Sequence, residues 1–509
     1  MLATVASAAV FGIEAHRVDV EVDLGRGMMV FSTVGSVATA VCEARTRVKS
    51  ALDNTGFPFP QRRVTVNLAP ADVKKEGTGF DLPIALGILA ADGQLPADAL
   101  DRTLVVGELS LDGRVRGVRG MLPLAAAARR GGLTRLVIPR ENAAEAAVVE
   151  GLAIVAVESL PGAVEVLRGL APPLPVPAAA PMQSGVRRDD DADLADVRGQ
   201  VIARRALEIA AAGGHNLLFI GPPGAGKTML ARRLATILPL MGQDERLEAS
   251  VVASVAGLLR PEEPLLCRRP FRAPHHSVSD VALIGGGPHG RPGEVSLAHH
   301  GVLFLDELPE FRRNALESLR QPLESGDVVI ARAGYHLTFP ASSMLVASMN
   351  PCPCGYFGHP RQPCACSPTV IRAYRNRISG PLLDRIDLQV AVDPVSANDL
   401  RDAPAGERSA DVLARVVTAR DRQTRRLGRS TAHCNARMRP SEIRRHCALD
   451  AGASRLLEAA IDKLGLSARA HDRVLKVGRT IADLAGEDRI QAAHVAEAIQ
   501  YRQLDREGL

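Results

Sequence analysis

Three short segments of the chain are apolar at almost every position: NLLFIG at 216–221, GVLFLDE at 301–307 and SMLVASMN at 343–350. A strand without a polar face is covered on both sides, so the pattern predicts parallel strands between layers of helix. The N-terminal third reads differently. RVDVEVDL (17–24) and RRVTVNLAP (62–70) alternate apolar and polar positions, as half-buried strands do. Segments 37–53 and 82–91 carry helical spacing, and TLVVGELSLDGRVRGV (103–118) predicts a hairpin turning at Asp112-Gly113. APPLPVPAAAPMQSG (171–185) has neither period, and the charged RRDDDADLAD that follows has little to bury, which together predict a linker. Beyond about residue 395 the pattern is helical almost throughout. The expected organisation is α/β: an α+β domain over 1–170, a linker over 171–192, a parallel-sheet domain over 193–395 and a helical domain over 396–509.

The 509 residues suit about three domains. No apolar run approaches the 18 or more residues that span a bilayer, and the apolar start MLATVASAAVFGIEAH lacks a basic leader, so a cytoplasmic location is expected. With no Trp, 4 Tyr and 11 Phe, the composition argues against reading single strands through stacked aromatic platforms. The net charge of +5 is mild, but residues 401–450 hold 12 Lys and Arg against 6 Asp and Glu. Such a block steers a polyanion or simply forms a solvated helical face.

The strongest chemical signal is Gly221-Pro222-Pro223-Gly224-Ala225-Gly226-Lys227-Thr228, a complete phosphate-loop pattern between a predicted strand and a predicted helix. Its glycines let backbone N–H groups turn inward around phosphate oxygens at a helix N-terminus. Lys227 is expected on the β- and γ-phosphates of ATP, and the Thr228 hydroxyl on Mg²⁺. The segment GVLFLDE ends in Asp306, expected to hold Mg²⁺, and Glu307, expected to polarise the attacking water. SMLVASMN ends in Asn350, placed to orient that water from the other side. In SGPLLDRIDL, Arg385 stands between two acids on a predicted surface turn. It either reaches a neighbouring subunit's nucleotide or pairs locally with Asp384 or Asp387. In LSARAHDRVLK, Arg469 or Arg473 opens a helix and is expected to touch phosphate in the same chain, with Arg469 the assigned residue.

These residues resemble an AAA+ ATPase, and more narrowly the magnesium-chelatase-like ComM/YifB group. Beyond the generic motifs, the resemblance rests on RPFRAPHHSVSDVALIGGG (269–287), MNPCPCG (349–355), ISGPLLDRIDL (378–388) and LKVGRTIADL (475–484), and it covers nearly the whole chain. It implies a hexameric ring with ATP at subunit interfaces, Arg385 as a finger acting across the interface and Arg469 as a second sensor. It also implies forked or branched DNA as the substrate of a branch-migration helicase in DNA uptake and recombination. The segment GDVVIARAGYHLTF (326–339) reads as a hairpin inserted before the Asn350 strand with Arg332 near its tip, either tracking DNA phosphates or merely exposed. The 78 positions between Thr228 and Asp306 leave room for an insertion carrying Phe271, Arg272, His275 and His276, whose histidines serve loop packing or DNA contact.

Cys352-Pro-Cys354 and Cys364-Ala-Cys366 offer four soft ligands to a structural Zn²⁺, with free thiols as the alternative. Residues 1–170 resemble the proteolytic domain of Lon-type proteases. The position aligned with the nucleophilic Ser carries Asp81, and the position aligned with the Lys base carries Leu122; Lys74 and Lys75 lie near, with no Ser placed to use them. The expectation is a retained fold without proteolysis. Two other readings stand beside the DNA motor: a metal-insertion ATPase of the magnesium-chelatase type, and an ATP-dependent protease.

Overall fold

The all-apolar segments form the centre of a five-stranded sheet. Its order is Phe271–Arg272, Val302–Leu305, Met344–Met349, Leu217–Ile220, Leu388–Ala391, and every pairing is parallel. The computed structural model describes residues 1–35, 39–72, 75, 77–96, 98–176, 192–288, 290–332, 335–394, 406–428, 434–464 and 467–502. Most of the expected linker, Lys74, the hairpin tip at 333–334 and the Arg332 side chain lie outside the described residues.

Successive side chains of a strand point to opposite faces, and here both faces are buried. Leu217, Phe219, Val302, Phe304 and Val346 enter one core, while Leu218, Ile220, Leu303, Leu305 and Leu345 enter another. The helix Val201–Gly213 covers the first face, and so does the C-terminal helix Ala468–Leu484 through Val474, Val477 and Ile481. The C-terminal helices therefore complete the core of the parallel sheet. Other helices of that region are Ser409–Leu427, Pro440–His446, Ala451–Leu464 and Ala492–Gln500.

One expectation about this sheet is corrected. Phe271 and Arg272 do not sit on an insertion; they are the edge strand, with Phe271 opposite Val302 and Arg272 opposite Leu303. The added segment comes after them, as helix Asp280–Ile284, a ribbon pairing Gly285–Gly286 with Arg291–Pro292, and helix Glu294–Leu297. The hairpin before the Asn350 strand is present, with Asp327–Arg332 antiparallel to Tyr335–Pro340 and Arg332 opposite Tyr335.

The N-terminal part is a mixed seven-stranded sheet in the order Val30–Val34, Arg63–Ala69, Glu14–Gly25, Leu2–Phe11, Thr103–Val105, Arg135–Pro139, Ala153–Val157. Helices Thr39–Asn54 and Asp81–Ala91 fall where their spacing predicts. The hairpin expected over 103–118 is shorter. Only Glu108–Leu109 and Val115–Arg116 pair around the Asp112-Gly113 turn, and Thr103–Val105 joins the large sheet instead.

Among the described residues this part meets the parallel-sheet part at two main places. Helix Met121–Arg130 packs on helix Gln243–Ala256, where the Glu145 carboxylate accepts the Leu122 backbone N–H at 2.9 Å and the Ser254 hydroxyl. Burial pushes the Glu145 carboxyl above its usual range. At the second contact Phe11 and Ile13, flanking the turn at Gly12, pack on the core that holds Leu337 and Phe339 of the 327–340 hairpin. Among the described residues no helix is long and apolar enough to cross a membrane.

Candidate functional site

In an open parallel sheet, ligands bind beyond the carboxyl ends of the strands, where the strand order reverses. The strand Leu217–Ile220 lies between the fourth and fifth strands in chain order, so its carboxyl end is that place. The loop leaving it takes left-handed backbone at Gly224 (φ 77°) and Gly226 (φ 86°), angles that residues with a Cβ rarely adopt. Helix Lys227–Leu234 then begins directly under the loop. Lys227 Nζ donates to the carbonyls of Gly221 (2.7 Å) and Pro222 (2.9 Å) and to Asn350 Oδ1 (3.0 Å), which joins the loop to the end of the Met344–Met349 strand. Burial lowers the Lys227 pKa, and the charges of Asp306 and Glu307 oppose that.

The Thr228 hydroxyl donates to Asp306 Oδ2 at 2.7 Å, an oxygen pair into which a Mg²⁺ ion fits with both atoms as ligands. The other Asp306 oxygen accepts the Ser348 hydroxyl and the Glu307 N–H. Ser348 is a residue the sequence reading missed; its signal was a hydroxyl inside an otherwise apolar strand, two places before Asn350. Glu307 itself is half-exposed and left-handed (φ 54°), a conformation that costs energy for a non-glycine residue and recurs at functional sites. His276 Nδ1 lies 3.6 Å from Glu307 Oε2, with its ring stacked on His275 and edge-on to Phe311. His276 thus belongs beside the carboxylate pair, whereas Arg272 is engaged bidentately by Glu294 at 2.7 and 2.8 Å.

A cavity of about 270 Å³ adjoins the loop, lined by Arg198–Ile202 and by Ala391, Asp393 and Pro394. Val201 and Ile202 are apolar yet 74% and 66% exposed at the start of their helix. Gln200 Nε2 donates to the Asp393 carbonyl (2.6 Å), and Val392 N–H to the Ile220 carbonyl (2.8 Å), so this wall is fixed to the phosphate loop. Motif reading missed it because backbone and two exposed aliphatic side chains build it.

Arg385 and Arg469 are placed elsewhere. Asn216, at the head of the strand Leu217–Ile220, donates through Nδ2 to the Arg385 carbonyl (2.8 Å), so Arg385 lies at the amino end of the strands. The four strand residues put about 13 Å between that end and the phosphate loop. The Arg385 guanidinium is 11% exposed and pairs with Glu324, not with Asp384 or Asp387, and its Nη1 donates to the Pro381 carbonyl (2.7 Å). Asp387 is held instead by Arg473 (3.2 Å), His215 (3.4 Å) and the Asn216 N–H (3.1 Å). Arg469, Arg473 and Arg385 line one cavity of about 370 Å³. Arg469 shares this cavity with Asn216, at the amino end of the strand whose other end carries the phosphate loop. Arg332 is the last residue of its hairpin strand, paired with Tyr335.

The four cysteines come together. The Sγ atoms of Cys352, Cys354 and Cys364 are 3.3, 3.7 and 3.6 Å apart, and all four, Cys366 included, lie within 4.8 Å of one another. A tetrahedron with metal–sulfur bonds of about 2.3 Å has sulfurs about 3.8 Å apart, so the donor set fits a four-coordinate soft ion. The cysteine loop also touches the phosphate loop: a Cβ on Gly355 would stand 2.5 Å from Pro223 Cδ.

In the N-terminal part Asp81 is fully buried and bidentate with Arg47 (2.7 and 3.0 Å), and it accepts the Leu109 N–H. Burial raises its pKa, against the pull of Arg47. Leu122 is buried with its N–H on Glu145, and Lys75 donates to the Pro70 carbonyl. These residues do not make up a serine–lysine pair.

The family comparisons agree with this geometry. Residues 193–400 match the model for magnesium chelatase, subunit ChlI; residues 20–142 match that for subunit ChlI of Mg-chelatase, and 406–502 the ChlI C-terminal model. The chain is 48% identical over 512 residues to competence protein ComM of Haemophilus influenzae, covering 99% of this chain and 98% of that one. It is 44% and 43% identical to the YifB proteins of Salmonella typhimurium and Escherichia coli, with the same coverage. The chain belongs to the ComM/YifB group of magnesium-chelatase-like proteins. It is therefore an AAA+ ATPase, a family that uses ATP and Mg²⁺ and whose members are typically oligomeric.

Proposed function

We propose that the protein is a ring-forming motor that hydrolyses ATP between neighbouring copies and moves forked or branched DNA. The observation that carries the reading is the separation of the two halves of the site. Lys227, Thr228, Asp306 and Asn350 gather at one end of the sheet, and Arg385 and Arg469 at the other. A complete hydrolytic site then needs the second half from a neighbour, with Arg385 as the finger and Arg469 beside it, and the ring the family suggests is a hexamer. Within a copy, the adenine packs on Val201 and Ile202, Lys227 meets the β- and γ-phosphates, and Glu307 takes the proton of the attacking water with Asn350 orienting it. A bound Mg²⁺, held by Thr228 and Asp306, neutralises developing phosphate charge. The four cysteines hold a structural Zn²⁺ that stiffens the loop after Asn350.

DNA as the cargo is supported by the extended hairpin with Arg332 at its end, by the basic 401–450 segment, and by a near full-length relative named for competence. The N-terminal part is read as a Lon-like fold without peptidase chemistry, because Asp81 is locked to Arg47 and Leu122 carries no base. The second reading, a metal-insertion ATPase, is favoured by the family models named for magnesium chelatase.

The test is ATP turnover with and without forked and four-way DNA, for wild type and Glu307→Gln. Wild-type turnover should rise with DNA. The Gln variant should bind ATP and lose at least about 10²-fold in rate, the size of a general-base contribution. Turnover indifferent to every DNA structure would favour metal insertion, and ATP-dependent casein cleavage would revive the protease.

A further inference from the structure

Arg385 is held where it stands by a single carboxylate. Its Nη2 donates to Glu324 Oε2 and its Nη1 to the Pro381 carbonyl, while the buried Nε has no hydrogen-bond partner. Arg473 Nη1, in the same cavity, is also buried without a partner. The cavity thus has more guanidinium N–H groups than acceptors, and Asp387 is already used by Arg473, His215 and Asn216. Glu324 differs from Asp387 in being 65% exposed, so the carboxylate is the half of the pair that can leave. Its hydrogen bond to Arg385, with the charges of Arg385 and Arg469 behind it, keeps this carboxyl below its usual range and so ionised. A guanidinium engaged by a carboxylate offers the same N–H edge that a phosphate would take, and the two occupants exclude each other.

Glu324 also has a mechanical connection. It lies on helix Arg320–Ser325, which runs directly into the hairpin strand Asp327–Arg332. The junction is tightly bonded. Ser325 Oγ accepts the Asp327 N–H (3.2 Å) and donates to the Gln321 carbonyl (3.1 Å), and the Gly326 carbonyl accepts the Ala341 N–H (2.7 Å), closing the hairpin base. Six residue pairs give the hairpin a length of about 20 Å. Val328, Ile330, Leu337 and Phe339 pack its inner face into the core, so a shift of the hairpin would carry the attached helix and Glu324 with it.

We propose that Glu324 is a positioning residue for hydrolysis: it parks Arg385, and displacement of the 327–340 hairpin by bound DNA draws it off and frees Arg385 for a neighbour's nucleotide. The inference rests on the reading of Arg385 as the group that acts across the interface, and adds to it the link between cargo and turnover.

The experiment compares wild type, Glu324→Gln, Glu324→Asp and Arg385→Ala as assembled full-length protein, with ATP turnover measured with and without forked DNA. Glu324→Gln should raise the DNA-free rate about two- to five-fold, as expected for loosening an ion pair with one exposed partner, at unchanged KM for ATP. Its stimulation by DNA should shrink accordingly, and Glu324→Asp should fall back towards wild type. Added salt should raise the DNA-free rate of wild type but not of Glu324→Gln, since screening acts only where the pair exists. A Glu324→Gln rate at or below wild type without DNA, in protein that assembles normally, overturns the proposal. Full turnover in Arg385→Ala would instead overturn the interface reading beneath it.

Discussion

Replacing Asp387 by Asn tests whether the arginine end of the sheet is as tightly bound as its geometry states. Burial alone would push this carboxyl up. The contact with His215 and the charges of Arg473 and Lys476 outweigh burial and hold it at about 2. Against an unfolded value of about 3.9, the depression is worth roughly 2–3 kcal/mol at neutral pH, at about 1.4 kcal/mol per unit. Because the folded pKa is the lower one, this stability is fully present above about pH 4 and is lost as the pH falls towards 2. Calorimetry of Asp387→Asn should therefore show the transition of the parallel sheet and its helices lowered by about 3–5 °C. The gap to wild type should be constant from about pH 8 to pH 5 and close below about pH 4. Since Asp387 and Arg385 both bond to Asn216, DNA-stimulated turnover should fall as well. A variant melting within about 1 °C of wild type at neutral pH would refute the account of this cluster.

Purified protein should hold about one zinc per chain, and Cys352→Ser or Cys364→Ser should lose it; under about a tenth of an equivalent in wild type would remove the metal from the picture. Gly355→Ala places a methyl against Pro223 at a left-handed residue (φ 85°), so the phosphate loop must shift, and the KM for ATP should rise by about five-fold or more. An unchanged KM would show that the two loops are not coupled. Mixing Arg385→Ala with Lys227→Ala chains should recover part of the turnover each lacks alone, because some interfaces then pair an intact Lys227 with an intact Arg385. No recovery at any mixing ratio would count against shared sites.

What could be read from the chain follows from how local each feature is. The strands Leu217–Ile220, Val302–Leu305 and Met344–Met349 announce themselves because burial on both faces leaves no polar position to confuse them. The phosphate loop and the carboxylates after Leu305 are contiguous, and so were legible. The edge strand Phe271–Arg272 was not: two residues carry no period, and Arg272 looks like a surface residue until Glu294 is seen beside it. Thr103–Val105 was drawn into a hairpin for the opposite reason, since its alternation continues smoothly into the real hairpin at 108–116. The partner of Arg385 lies 61 positions away at Glu324, while two nearer acids sit on either side as decoys. Spacing gives no hint that one of those decoys, Asp387, is spoken for by residues of two other elements.

The bridge from the N-terminal sheet to the rest of the molecule has a practical consequence for anyone dissecting it. Cutting the chain after the seven-stranded sheet would strip cover from Leu337 and Phe339 at one joint and unseat Ser254 from Glu145 at the other. The shortened protein would then present bare hydrocarbon on the 327–340 hairpin. A truncation that clumps or idles would report a lost brace, and says nothing by itself about a lost enzymatic task.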